Sequence, residues 1–180
     1  MSAEHMILPG FYGKLPTAGD FVSRRLPLDF VRPWDRWIAQ HLAPLIGSQR
    51  WPPSLALRFL TGPACFGPAT GIVLQSTDKV GRRFPLSIVA LLADAPIATA
   101  RADAWFAAIE DAGIKAQLGK FTPDELETAL AGLPAPLVEP SGEIVDRMVM
   151  WTAHSDIFDV DPDAPQPVLE QLFDASWETS

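Results

Sequence analysis

Residues 85–93, PLSIVALLA, restrict the fold of this chain more than any other segment. The run is almost wholly apolar, yet far shorter than the roughly 18 to 20 apolar residues a membrane-crossing helix needs. A short apolar run of this kind is a strand buried on both faces. Its sheet must therefore be covered on both sides, and only helices elsewhere in the chain are available for that. GIVLQST (71–77) precedes it as a second strand, and the turn between them, DKVGRR (78–83), makes the two a hairpin.

The covering helices are readable from periodicity. From Asp29, the residues Phe30, Trp34, Trp37, Ile38, His41, Leu42 and Leu45 recur at three- and four-residue steps, the signature of one helix face. Pro33 suits the first turn of that helix, Pro44 kinks or ends it, and Gly47 stops it. ARADAWFAAIEDAGIKAQLG (100–119) is a second amphipathic helix. FTPDELETALAGL is a third, with Thr122 as N-cap, Pro123 in the first helical position and Glu125 placed for a capping box. PVLEQLFDAS (167–176) is a fourth. MILPGF and its continuation read as a short strand followed by an ordered loop. SLALRFLTG (54–62) and EIVDRMVMWT (143–152) read as further strands. The eighteen prolines separate these elements into short pieces. The expectation is an α/β chain folding as one domain over residues 1–180, with helices on both faces of a mixed sheet.

Charge narrows the function. The net charge is −8 and the isoelectric point near 4.7, so the basic footprint of a nucleic-acid binder is missing. The distribution is uneven. Residues 1–100 hold ten Lys/Arg against six Asp/Glu, or +4, and residues 101–180 hold four against sixteen, or −12. Solvated helix faces account for the acidic half, and a mildly basic face in the first half is the alternative. One cysteine, Cys65, sits among apolar neighbours. It can form no intramolecular disulfide, which fits a reducing compartment. MSAEHMILPGF carries no secretory pattern. The expected location is the cytoplasm, without membrane insertion.

Catalytic motifs are lacking. There is no GxSxG, P-loop or GxGxxG pattern. His5, His41 and His154 are far apart, and no set has metal-ligand spacing. His41 falls on or beside the apolar helix face, as a core residue would. His154 stands next to Ser155 and Asp156, but triads assemble in space rather than along the chain. DVDPD (159–163) alternates acids like the start of a calcium loop, without the glycine and distant glutamate such a loop requires. No metal, cofactor or enzymatic activity is expected.

What the chain offers is charge set among aromatic and apolar residues. GKLPTAGDFVSRRLP places Lys14, Asp20, Arg24 and Arg25 around Phe21, and STDKVGRRFPL places Asp78, Lys79, Arg82 and Arg83 beside Phe84. Arginine in such surroundings pairs with carboxylates through its planar fork. Asp20, Arg24, Asp35, Asp78 and Arg82 are the expected internal ion-pair cluster. Lys14, Arg25, Trp34, Lys79 and Arg83 are the candidate contacts for a partner, although helical spacing favours a core position for Trp34 and Trp37. Because adjacent residues in extended chain point to opposite sides, Arg82 is expected to brace the N-terminal loop and Arg83 to face outward. A different class of function is an enzyme or anion-binding protein using Asp20, Arg24, Asp78 and Arg82.

GFYGKLPTAGDFVSRRLPLDFVRPWDRWI followed by STDKVGRRFPLSIVALL resembles the TagF (ImpM) family, associated with bacterial type VI secretion. The resemblance rests on G-x-Y-G-K-L-P-x-x-G-D-F-V-x-R, L-P-x-x-F-V-x-P-W-D-x-W and D-x-V-G-R-x-F-P-L, and is densest over residues 9–92. It implies a three-layer α/β/α sandwich without catalytic residues. It also implies a cytosolic, post-translational negative regulator of secretion that engages the forkhead-associated (Fha) scaffold protein and blocks assembly of the apparatus. The chain is too short for the phosphatase domain fused to some relatives, and a homodimer is left open.

Overall fold

Residues 86–91 of the apolar run form an interior strand, third of seven in one sheet, in the computed structural model, which describes residues 6–139 and 141–178. The strands are β1 (Gly10–Gly13), β2 (Val22–Arg24), β3 (Leu57–Thr61), β4 (Ala69–Leu74), β5 (Leu86–Leu91), β6 (Met148–Trp151) and β7 (Phe158–Asp159). Their order is β2-β1-β5-β4-β3-β6-β7. β4 and β5 pair antiparallel from Ala69↔Leu91 to Leu74↔Leu86, which is the expected hairpin. The short β2 was not expected: it forms inside what the sequence presents as a loop.

Four helices cover the sheet: α1 (Leu28–His41), α2 (Asp103–Gln117), α3 (Pro123–Ala131) and α4 (Gln166–Glu178). The apolar residues divide into two cores by strand alternation. Ile72, Leu74, Leu86, Ile88 and Ala90 pack with Phe106, Ile109, Leu126 and Leu130 of α2 and α3. Ala69, Val73 and Val89 face the other way, with Trp34, Trp37 and Ile38 of α1 and Leu169, Leu172 and Phe173 of α4. An α/β fold with helices on both faces is thus as expected.

The sheet itself differs from expectation. Every neighbouring pair is antiparallel, where a mixed sheet was anticipated. The crossover β2–α1–β3 does return the chain in the direction of β2, as a crossover of this kind should. It lands beyond β1, β5 and β4, however, so the parallel strands never become neighbours.

Local signals set several boundaries. Pro44 sits in a 3-10 turn, Ala43–Leu45, that ends α1. The capping box of α3 forms in full: the Glu125 backbone N–H donates to Thr122 Oγ1 at 3.2 Å and the Thr122 N–H to Glu125 Oε1 at 3.0 Å. Thr122→Ala should cost about 1 kcal/mol, read as a shift of the denaturation midpoint with an unchanged slope. β6 begins only at Met148, because residues 143–147 leave the sheet apart from a single bridge between Pro96 and Ile144.

Candidate functional site

The turn between β4 and β5 is organised by one carboxylate. Asp78 is buried, and its backbone closes the turn: Asp78 N–H donates to the Arg82 carbonyl at 2.9 Å and Gly81 N–H to the Asp78 carbonyl at 3.1 Å. Gly81 takes φ +89°, a conformation glycine adopts without strain. Asp78 Oδ1 accepts from the N–H of Val80 (3.0 Å) and of Arg82 (2.9 Å). Oδ2 accepts from Arg82 Nε at 2.7 Å and lies 3.4 Å from Lys14 Nζ. Burial alone would raise the pKa of this carboxyl. The backbone and side-chain bonds from Arg82, the Val80 N–H and the Arg82 charge outweigh it and hold the group at about 2, against an ordinary value of 3.8.

The same turn fastens the N-terminal loop. Lys79 N–H donates to the Ala18 carbonyl at 2.8 Å, and Arg82 Nη2 to the Gly19 carbonyl at 2.9 Å. Arg82 therefore holds the loop from the surface, with its side chain 63% exposed, rather than from inside the fold. Phe21 lies over this junction. Its ring stacks on Tyr12 (5.8 Å), meets Phe84 edge-on (4.8 Å) and carries Lys14 Nζ 5.0 Å from its centroid. It remains 44% exposed, and Val80 in the turn is 72% exposed. Lys79 is exposed at the same tip. The loop and the turn fastened to it thus expose a fixed aromatic ring, an apolar residue and two cations, Lys79 and Arg82.

The other residues singled out from sequence are more dispersed. Asp20 is exposed and, among the described residues, accepts only from its neighbour's backbone, Phe21 N–H, at 2.7 Å. Arg24 pairs with α3, reaching Asp124 at 3.2 Å and Glu127 at 3.6 Å, rather than with Asp20, Asp35 or Asp78. Asp35 accepts from the Tyr12 hydroxyl; burial, then this bond and the Asp35 charge, raise the Tyr12 pKa above its usual value. The expected five-residue cluster thus reduces to Asp78 and Arg82, joined by Lys14.

Two expected partner contacts are corrected. Lys14 is buried against Asp78. Trp34 is fully buried, its indole N–H donating to Ser87 Oγ at 2.9 Å, so it packs the core of α1. Arg25, Lys79 and Arg83 are exposed. Arg25 takes φ +57° and reaches the Glu127 carbonyl at 3.4 Å.

Of the histidines, His41 is buried with Nδ1 2.9 Å from Gln166 Nε2, and His154 is exposed with no hydroxyl or carboxylate turned to its ring among the described residues. His5 lies outside the described residues. Burial pushes the Cys65 thiol up to about 11, keeping it neutral. No group of three or more His, Cys, Asp or Glu among the described residues is arranged to hold a metal ion. No described helix is long and apolar enough to cross a membrane.

One charged site was missed. Arg58, in β3, is buried between Glu110 and Asp103 of α2 and stands 5.2 Å from the Phe106 ring centroid. A lone arginine inside an apolar strand was the signal for it.

The N-terminal loop, α1 and the β4–β5 turn fall within residues 10–133, which match the family model described as the TagF N-terminal domain, type VI secretion system-associated. No curated protein matches the chain. Among solved structures, the crystal structure of PA0076 from Pseudomonas aeruginosa PAO1 is similar over 93% of this chain and 77% of its own, with a TM-score of 0.62 and 31% sequence identity. The chain belongs to the TagF family and is a type VI secretion system-associated protein.

Proposed function

We propose that the protein is a cytoplasmic, post-translational negative regulator of type VI secretion, which engages the Fha scaffold protein and so blocks assembly of the apparatus. The observation that carries this reading is the tip built from Phe21, Lys79, Val80 and Arg82. Aromatic and arginine side chains dominate interface energetics when they are held ready at a surface. Phe21 is held between Tyr12 and Phe84, and Arg82 between Asp78 and the Gly19 carbonyl. Little ordering entropy remains to be lost on binding.

Anion binding at Asp78 and Arg82 gains no such support. The Asp78 carboxylate already occupies the position an anion would take between Arg82 and Lys14.

Co-purification with the Fha scaffold tests the proposal. Wild-type protein should retain the scaffold. Phe21→Ala combined with Val80→Asp should release it while remaining folded, with a melting temperature lower by about 5 °C because the Phe21 ring no longer packs on Tyr12 and Phe84. A folded double variant that still holds the scaffold would remove the tip from the interface. A wild-type protein that never retains it would remove Fha as the partner.

A further inference from the structure

Arg83 leaves the turn on the side opposite Arg82. Its Nη1 stands 3.4 Å from the Ile46 carbonyl. Its guanidinium fills the space beside Gly47, where an added Cβ would lie 2.0 Å from Nη1. Gly47 also takes φ +79°, so a side chain there would be strained as well as displaced. The glycine thus gives the guanidinium a fixed seat.

That seat opens onto two adjoining depressions. One, of about 240 Å³, runs from Arg83 past Thr77 and Gln117. The other, of about 430 Å³, runs past Trp51 and Pro52 to the partly exposed Trp177. Both are bordered by Gly47, Pro53 and Gln75, which makes them one groove. Among the described residues no Asp or Glu lines either part, in a chain of net charge −8. Arg24, Arg50, Arg58, Arg82 and Arg147 each reach a carboxylate. Among the described residues Arg83, like Arg25, Arg32, Arg36 and Arg101, reaches none, but of these five it is Arg83 that lines the groove, and its contact with Ile46 is long. The Ser48 hydroxyl, bordering the same groove, is buried without a hydrogen-bond partner.

We infer that this groove binds an extended peptide segment of a partner protein, with an Asp or Glu carboxylate on Arg83 and a neighbouring apolar side chain on Trp177 and Pro52. A carboxylate matches the planar fork of one guanidinium. A phosphate site gathers further cations or a helix N-terminus, and here the remaining lining is neutral. A small molecule is enclosed over most of its surface, whereas this groove lies open along its length. The inference is independent of which protein the Phe21 tip meets.

The test is a titration of 15N-labelled protein with two acetylated, amidated hexapeptides that differ only in Glu-Leu against Gln-Leu, and with inorganic phosphate. The Glu peptide should shift the amides of Gly47 and Ser48, the side-chain amides of Gln75 and Gln117 and the Trp177 indole N–H. The Gln peptide should bind about tenfold more weakly, as should Arg83→Ala and Arg83→Lys proteins with the Glu peptide. Trp177→Ala should weaken the Glu-Leu peptide as well. No shift at millimolar peptide, equal shifts from both peptides, or equal shifts from phosphate would each overturn the proposal. Should Arg83→Ala fail to fold, the comparison of Glu with Gln peptide on the wild-type protein still decides it.

Discussion

Asp78→Asn should lower the melting temperature at neutral pH on the order of 10 °C, whereas Arg82→Ala should lower it by only a few degrees. The asymmetry follows from where each charge sits. Removing the carboxylate's charge strands the buried Lys14 ammonium and weakens the bonds from the Val80 and Arg82 N–H groups. Removing the largely exposed Arg82 side chain leaves the carboxylate with Lys14 and both backbone donors. Acid should reveal the same group. The folded pKa is depressed to about 2 from an ordinary 3.8. The contribution of Asp78 is therefore complete above pH 3.8 and is lost as the pH falls from there through 2. Melts across that window should show a steeper loss for wild type than for Asp78→Asn. Equal destabilisation by the two variants at neutral pH would mean that the guanidinium, not the carboxylate, organises the turn.

This hub was only half legible in the sequence. Asp78 and Arg82 are four residues apart in a glycine turn, so their pairing could be read locally. Lys14 sits in a Gly-Lys-Leu-Pro segment that looks like a solvated loop, and nothing local says that it is buried. Arg24 shows the opposite failure. Its nearest acids along the chain are Asp20 and Asp29, yet its partners Asp124 and Glu127 lie a hundred residues on, brought close by α3 packing near β1 and β2. Periodicity did place Trp34 and Trp37 on one helix face, and PLSIVALLA did demand helices on both sides of the sheet. Whether a helix face meets core or partner depends on what else the chain can lay against it. α4, at the far end of the sequence, closes the core that holds both tryptophans. Sheet direction was illegible for a related reason: element order fixes how far the chain travels, not which strand it arrives beside.

Arg58→Ala should cost about 3–5 kcal/mol, the largest single effect expected outside the turn. Arg58 lies on the face of β3 that also carries Ala56 and Leu60, toward α2. Asp103 and Glu110 are seven residues apart, two turns of α2 on one face, with Phe106 between them. The guanidinium therefore meets two carboxylates and an aromatic ring at one place. Its neighbour across the strand pair is Trp151, which stands edge-on to Phe106 at 5.2 Å. Truncation to alanine removes that filling and leaves Glu110 half-buried and unpaired. The two acids are not equivalent, however. Asp103 is 81% exposed, and water screens it, so Asp103→Ala should cost less than about 1 kcal/mol. The decisive variant is the double substitution Arg58→Met with Glu110→Leu, which removes both buried charges and keeps the volume. Apolar replacements of buried pairs are often neutral or stabilising, so chemical denaturation should place this variant close to wild type and well above Arg58→Ala. If it instead unfolds as readily as Arg58→Ala, the ion pair itself stabilises the join between β3 and α2. If Arg58→Ala costs no more than Asp103→Ala, then α2 is held on the sheet by Phe106, Ile109 and Ala112 alone, and the arginine contributes nothing to the join.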